Sequence, residues 1–166
     1  MHGVYYHGAR RWEGRPEIRP AKSMRRVEHG PGLYLTSDVY AAGRYGKVMR
    51  FEIEDDLTLL DDVWIPLEEM TAFLDGLARL RHRADITNDM LRNVKVVDGV
   101  EVVWAPVLGN LMHYYGVTAG QNGVALVRFY VQHGVDASTV TGGGLKSGET
   151  WLVLYNLDRI VAYDWA

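Results

Sequence analysis

Residues 26–46 read Arg-Val-Glu-His-Gly-Pro-Gly-Leu-Tyr-Leu-Thr-Ser-Asp-Val-Tyr-Ala-Ala-Gly-Arg-Tyr-Gly, and this stretch decides the fold. Glycines on both sides of Pro31 predict a tight turn, because glycine tolerates positive φ and proline fixes its own φ. The apolar run Leu33–Thr36 is typical of a short strand. A helix capped by Ser37 and ending at Gly46 is then expected.

Two aromatic residues, Tyr34 and Tyr45, would be carried by that strand and by the helix after it. Two rings presented from adjacent elements can form a slot for a flat ligand ring. An earlier strand is expected over residues 4–6, with His7 at its end. The loop that follows is rich in arginine and could either be a solvated connection or cover phosphate groups. Its arginines are Arg10, Arg11, Arg15 and Arg19.

Two short motifs and one helix carry a family resemblance. They are Tyr6-His7-Gly8-Ala9, the run Gly30-x-Gly32-Leu33-Tyr34-Leu35, and the helix residues Ala41, Ala42 and Tyr45. In this order and spacing they resemble the ADP-ribosyltransferase superfamily, nearest to the histidine–tyrosine branch that includes the poly-ADP-ribose polymerases. The resemblance covers roughly the first third of the chain and a piece near its end.

The resemblance implies an α+β fold with two small, mainly antiparallel sheets around an NAD cleft, flanked by helices. Residues 1–166 would form one such domain, with a helical insertion over about residues 64–93. NAD would be a substrate of the protein, and no metal is expected.

The same resemblance assigns contacts to NAD. His7 would hydrogen-bond a ribose hydroxyl, and Gly8 would bind the nicotinamide amide through its backbone. Tyr34 and Tyr45 would stack on the nicotinamide ring. The remaining expected contacts are Ala9, Arg10, Gly32 and Ala42, the last in a position where many members carry serine.

Cleavage of the bond between nicotinamide and ribose develops positive charge on the sugar, so a carboxylate should stabilise the transition state. Glu149, just before a predicted strand over residues 151–156, is expected to be catalytic together with His7 and Tyr34. Aligning the strand with the family pattern, however, puts Trp151 at the acidic position. Glu149 could then position the acceptor, with the acid supplied elsewhere or missing; Asp38 is the alternative acid. A mobile, glycine-rich loop over residues 139–149 would face the acceptor.

Hydrophobic periodicity predicts the other elements. Strands are expected at residues 47–54 and 160–165, and a hairpin at residues 94–103 should turn at Asp98-Gly99. Helices are expected at residues 66–80, 87–93 and 106–115, and residues 124–132 fit either a buried helix or a strand.

Composition excludes several classes of protein. A net charge of −3 argues against nucleic-acid binding, and the absence of cysteine excludes disulfides and cysteine chemistry. The six histidines lack the paired spacing of a zinc site. No apolar run approaches the roughly 20 residues of a membrane span. A cytoplasmic protein, or one delivered into a target cytoplasm, is expected.

The expected function is therefore mono-ADP-ribosyl transfer from NAD to a protein acceptor with release of nicotinamide, as in an effector, a toxin or a phage-type modifier. One alternative is a catalytically inactive module that binds NAD or ADP-ribose. The other is an enzyme similar to the RNA 2′-phosphotransferases.

Overall fold

The architecture follows from strands that pair with antiparallel neighbours, in a computed structural model that describes residues 2–12, 14–27, 30–140 and 151–166. Within these ranges the strands are β1 (His2–Ala9), β2 (Leu33–Thr36), β3 (Lys47–Glu54), β4 (Trp64–Pro66), β5 (Val94–Val97), β6 (Val100–Trp104), β7 (Ala137–Val140), β8 (Trp151–Leu154) and β9 (Ile160–Trp165). The α-helices are α1 (Val39–Gly43), α2 (Leu67–Asp75), α3 (Arg83–Leu91), α4 (Ala105–Tyr114) and α5 (Gln121–Gln132).

The strands form two sheets. The larger sheet has six strands in the order β7-β8-β2-β1-β3-β9, and the smaller has three in the order β4-β6-β5. Every strand pair in these two sheets is antiparallel. This confirms the expected α+β class with two antiparallel sheets. None of the helices in the described ranges is long and apolar enough to cross a membrane.

Alternating side chains produce a core on each face of the larger sheet. Along β8, Leu152 and Leu154 belong to one apolar cluster, whereas Val153 belongs to the other, which includes the helices. Strand β8 is therefore buried on both faces, which explains its uninterrupted apolar sequence. Strand β3 buries Phe51 and its same-face neighbours and leaves the other face partly exposed, as its alternation predicts.

The hairpin of the smaller sheet confirms the turn expected from its sequence. Asp98 and Gly99 both have positive φ, at 52° and 79°. That combination defines the tight turn that matches the twist of two paired strands.

Three helix predictions need correction at their ends. Helix α1 ends at Gly43, so Tyr45 follows the helix and does not lie on it as expected. The cap of α1 is Asp38 rather than Ser37, since the Asp38 carboxylate accepts hydrogen bonds from the amides of Tyr40 and Ala41 at 2.9 and 3.2 Å. The helix expected over residues 66–80 ends at Asp75, and the helix expected from residue 87 begins at Arg83. The Arg83 guanidinium donates to carbonyls at the end of α2, which stabilises this break.

The structure also corrects or decides the predictions for three further segments. Residues 64–66, expected as part of a helical insertion, form β4 and pair with β6. The undecided stretch 124–132 lies in helix α5. Strand β7 takes up Thr139 and Val140, where a loop was expected, because both pair with β8.

A buried carboxylate, Asp136, fastens the end of α5 and β7 to the rest of the large sheet. It accepts hydrogen bonds from the Thr58 amide at 2.8 Å, the Asn156 side chain at 2.9 Å and Arg159 at 3.2 Å. Arg159 also pairs with Glu54. Burial opposes ionisation of Asp136, but these donors outweigh it and lower its pKa.

We expect Asp136→Asn to lower the free energy of unfolding by about 2 to 4 kcal/mol, because the amide cannot accept from all three donors and Arg159 loses its buried carboxylate partner, keeping only the more exposed Glu54 and Asp56. Urea denaturation at pH 7 measures this loss. Asp158→Asn, at an exposed neighbouring position, should change stability by less than about 0.5 kcal/mol. Because the folded pKa lies below the ordinary 3.8, the wild-type contribution is full above that pH and is lost as the pH falls through the folded pKa. Equal stability of both variants would contradict the assignment.

Candidate functional site

The two central strands of the larger sheet, β1 and β2, are paired at a single position. Tyr6 lies opposite Thr36, whereas β1 pairs with β3 along its whole length, from His2 to Ala9. Strand β2 in turn pairs with β8 along its whole length. Beyond Tyr6 the two strands therefore separate, and backbone groups that point away from β3 face a gap.

A side chain bridges this gap. The His7 ring nitrogen Nδ1 lies 2.7 Å from the carbonyl oxygen of Tyr34. A carbonyl only accepts hydrogen bonds, so Nδ1 carries the proton and donates it, and in the neutral ring Nε2 is an acceptor. His7 lies within β1, two residues before its end, and not at the end of the strand as the sequence suggested.

The environment of His7 favours this neutral form. Burial lowers the pKa of His7, and the hydrogen bond to the Tyr34 carbonyl offsets the effect only in part. The ring also contacts Trp12 edge-on, with 5.7 Å between the ring centroids. The structure thus holds an oriented hydrogen-bond acceptor at the gap near neutral pH.

A cleft of about 840 Å³ opens at the gap, within the usual range for small-molecule sites. Its walls come from the separated strands, the turn before β2 and the end of the α1 segment. The expected NAD contacts that line it are His7, Gly8, Ala9, Arg10, Gly32, Tyr34 and Tyr45.

Ala42 is placed differently from the sequence expectation. Its side chain is fully buried, and its carbonyl oxygen packs against Gly8. A Cβ atom on Gly8 would lie 1.8 Å from that oxygen. Gly8 is therefore required by the close approach of α1 to β1, a reason that the sequence did not reveal. Gly46, with φ at +130°, likewise brings its backbone against Ala9.

The aromatic residues of the cleft are held in different ways. The Tyr34 hydroxyl donates to the Gly30 carbonyl at 2.5 Å, which fixes the turn before β2. Tyr45 is 58% exposed, and its ring meets the buried Trp151 edge-on at 5.8 Å. By strand alternation Tyr34 and Trp151 share one sheet face, whereas His7 projects from the other.

Arginines give the cleft a positive charge. Arg10, Arg11 and Arg25 line it, and no ion pair joins them to a carboxylate in the described ranges. A smaller recess of about 140 Å³ on the Trp12 side contains Arg15 and Arg19. The sequence indicated these loop arginines but not Arg25, which lies in a short 3₁₀ turn over Met24–Val27.

The proposed catalytic acid, Glu149, lies outside the described residues, as does most of the glycine-rich loop before it. The position that aligns with the family's acid is Trp151, the first residue of β8. Trp151 is buried, with 7% of the residue exposed, and its indole carries no charge. The described part of the site therefore contains hydrogen-bonding, aromatic and cationic groups but no carboxylate, and the acid remains a prediction.

Comparison of this chain with protein-family models, with curated proteins and with solved structures finds no match.

Proposed function

We propose that the cleft between β1 and β2 binds NAD and that the protein transfers ADP-ribose from NAD to a protein acceptor. The observation that carries this proposal is the gap between the two strands, with His7 bridging it to Tyr34. It brings an oriented acceptor, the edges of two separated strands and two tyrosines to one cleft.

The chemistry of the cleft fits the parts of NAD. The neutral His7 ring can accept a hydrogen bond from a ribose hydroxyl through Nε2. Backbone groups along β1 can bind the nicotinamide amide, and Tyr34 and Tyr45 offer faces for the ring. The guanidinium groups of Arg10, Arg11 and Arg25, which form no ion pair within the described ranges, suit the pyrophosphate and can bind it in a bidentate manner.

The proposed reaction exchanges one bond at the ribose carbon C1′. The bond to the nicotinamide nitrogen breaks, and its electron pair leaves with the neutral nicotinamide. A nucleophile of the acceptor bonds to C1′ and releases its proton to solvent. Positive charge on the ribose peaks between these events, where the Glu149 carboxylate would stabilise it.

One observation favours a second candidate, a module that binds NAD without cleaving it. Trp151 occupies the aligned acidic position and packs against Tyr45 as part of the core. If Glu149 does not reach the ribose, the described cleft would still bind the dinucleotide. The two candidates differ in nicotinamide release, which only the transferase supports.

The first test measures NAD binding by calorimetry and nicotinamide release by chromatography, for the wild type and for His7→Asn. The asparagine amide can still donate to the Tyr34 carbonyl but lacks an acceptor at the Nε2 position. Loss of one neutral hydrogen bond should weaken NAD binding about three- to tenfold. His2→Asn, at an exposed position of the same strand, serves as the matched control.

The pH dependence of stability gives an independent check on His7. Its folded pKa lies below the ordinary 6.5, so the unfolded chain binds more protons between these two values. The wild type should therefore lose stability as the pH falls from 6.5 to the folded pKa, relative to His7→Asn.

Saturable NAD binding with nicotinamide release supports the transferase. Binding without release, even with a cell lysate as the source of acceptor, supports the binding module. Absence of NAD binding by the folded wild type would overturn both candidates.

A further inference from the structure

A second cleft, of about 410 Å³, lies between the helices α4 and α5 and the strand β7. The turn at Gly30 and Pro31 forms one of its walls, and the adjoining Gly32 lines the NAD cleft. The Tyr34 hydroxyl holds the Gly30 carbonyl, so a residue of the first cleft fixes the wall of the second. The polar and aromatic residues around this second cleft include Asp61, Trp104, Asn110, His113, Ser138 and Tyr155.

The two adjoining clefts have opposite charge. Arg10, Arg11 and Arg25 line the first. Among the described residues that line the second, the only side chain of the Asp, Glu, Lys and Arg types is Asp61. An anionic dinucleotide is therefore suited to the first cleft and a cationic group to the second.

Asp61 and Trp104 both line this cleft and are joined by a hydrogen bond. The Trp104 nitrogen Nε1 donates to the backbone carbonyl of Asp61 at 2.8 Å, which fixes the indole against the backbone of the residue that carries the carboxylate. Tyr155 lies nearby, with its hydroxyl donating to Ser138 at 3.0 Å. Burial raises the pKa of Tyr155 to about 12 against the effect of that hydrogen bond, and the negative charge of Asp61 adds to the rise. The negative charge of Asp61 is therefore felt at the Tyr155 hydroxyl, which lines the same cleft.

A carboxylate beside a fixed aromatic face suits a planar cation. A guanidinium group can form a two-pronged hydrogen bond to the carboxylate while it stacks on the indole. An ammonium group lacks the flat shape, and a neutral side chain lacks the charge. We propose that this second cleft binds an arginine side chain of the acceptor protein, through Asp61 and Trp104. That the bound protein is an acceptor of ADP-ribose rests on the proposed transferase function, whereas the binding of an arginine side chain does not.

The test titrates the wild-type protein, without NAD, with N-acetyl-arginine amide and with the neutral isostere N-acetyl-citrulline amide. The NMR signal of the Trp104 indole N–H, assigned with Trp104→Phe, reports binding at the cleft. The arginine compound should bind in the millimolar range, at least tenfold more tightly than the citrulline compound. Asp61→Asn should weaken arginine binding at least tenfold, whereas Asp62→Asn, at the adjacent exposed residue, should change it less than twofold.

Equal binding of arginine and citrulline compounds, or unchanged binding in a folded Asp61→Asn variant, would overturn the proposal. N-acetyl-lysine amide binding as tightly as the arginine compound would overturn the assignment to guanidinium. Because NAD is absent, these outcomes are independent of the NAD experiments, and either proposal can fail while the other holds.

Discussion

Nicotinamide release should fall at least about a hundredfold in Glu149→Gln, while the affinity for NAD changes less than about threefold. The substitution keeps the size of the side chain and removes its negative charge. That charge acts mainly on the oxocarbenium-like transition state, so its loss slows cleavage without weakening the ground-state complex. A hundredfold loss corresponds to about 2.7 kcal/mol, which is typical of removing one group that stabilises a developing charge.

The matched control for this variant is Glu101→Gln. Glu101 is exposed on β6, so its replacement tests the general effect of one lost carboxylate. Release within twofold of wild type is expected for the control. If Glu149→Gln releases nicotinamide as fast as the wild type, the acid is a different residue. If NAD binding is lost as well, Glu149 contributes to binding and the kinetic argument does not apply.

Gly8→Ala should remove both NAD binding and a large part of the stability. The added methyl group would lie 1.8 Å from the carbonyl oxygen of Ala42, far inside van der Waals contact. Either β1 or α1 must move to accommodate it, and the proposed NAD cleft is lined by residues of β1 and by Tyr45, which follows α1. A loss of about 3 kcal/mol or more is expected, or roughly 10 °C in melting temperature for a chain of this size.

The control for the glycine effect is Gly43→Ala, on the helix that meets Gly8. A Cβ atom there has Val48 as its nearest neighbour, at 3.9 Å. Alanine is also the better helix former, so this variant should match the wild type or gain up to about 1 kcal/mol. Scanning calorimetry compares the two variants directly. A Gly8→Ala protein with wild-type melting temperature would show that the packing of α1 on β1 is not rigid.

Local sequence patterns predicted those elements whose formation depends on local chemistry. The alternation of β3, the Asp98-Gly99 turn and the strand Leu33–Thr36 each depend on side-chain period or on allowed φ values. The prediction of one helix over residues 66–80 was wrong at its end. Leu77 and Leu80 continue the helical spacing of α2, but they lie in the loop after it and pack against the core from there. Periodicity alone could not separate these cases, since burial in a loop produces the same pattern.

The residues of the candidate sites likewise fall into those that local sequence motifs identify and those that depend on the folded chain. His7 and Gly8 lie in one short motif and Tyr34 in another, so the sequence could identify them, and the structure brings them to one cleft. Arg25 and the pair Asp61 and Trp104 could not be identified, because their positions depend on long-range packing between distant segments. The sequence also could not show why residue 8 must be glycine, because the helix α1 that packs against it is close only in the folded chain.

The single pairing between Tyr6 and Thr36 divides the large sheet into two ribbons joined along a narrow seam. One ribbon consists of β7, β8 and β2, and the other of β1, β3 and β9. Within each ribbon the strands are joined by their own backbone hydrogen bonds. The two ribbons can therefore move apart without breaking those bonds. Besides its proposed contact with the ligand, His7 therefore connects the two ribbons, because its hydrogen bond to Tyr34 lies next to the point where they separate.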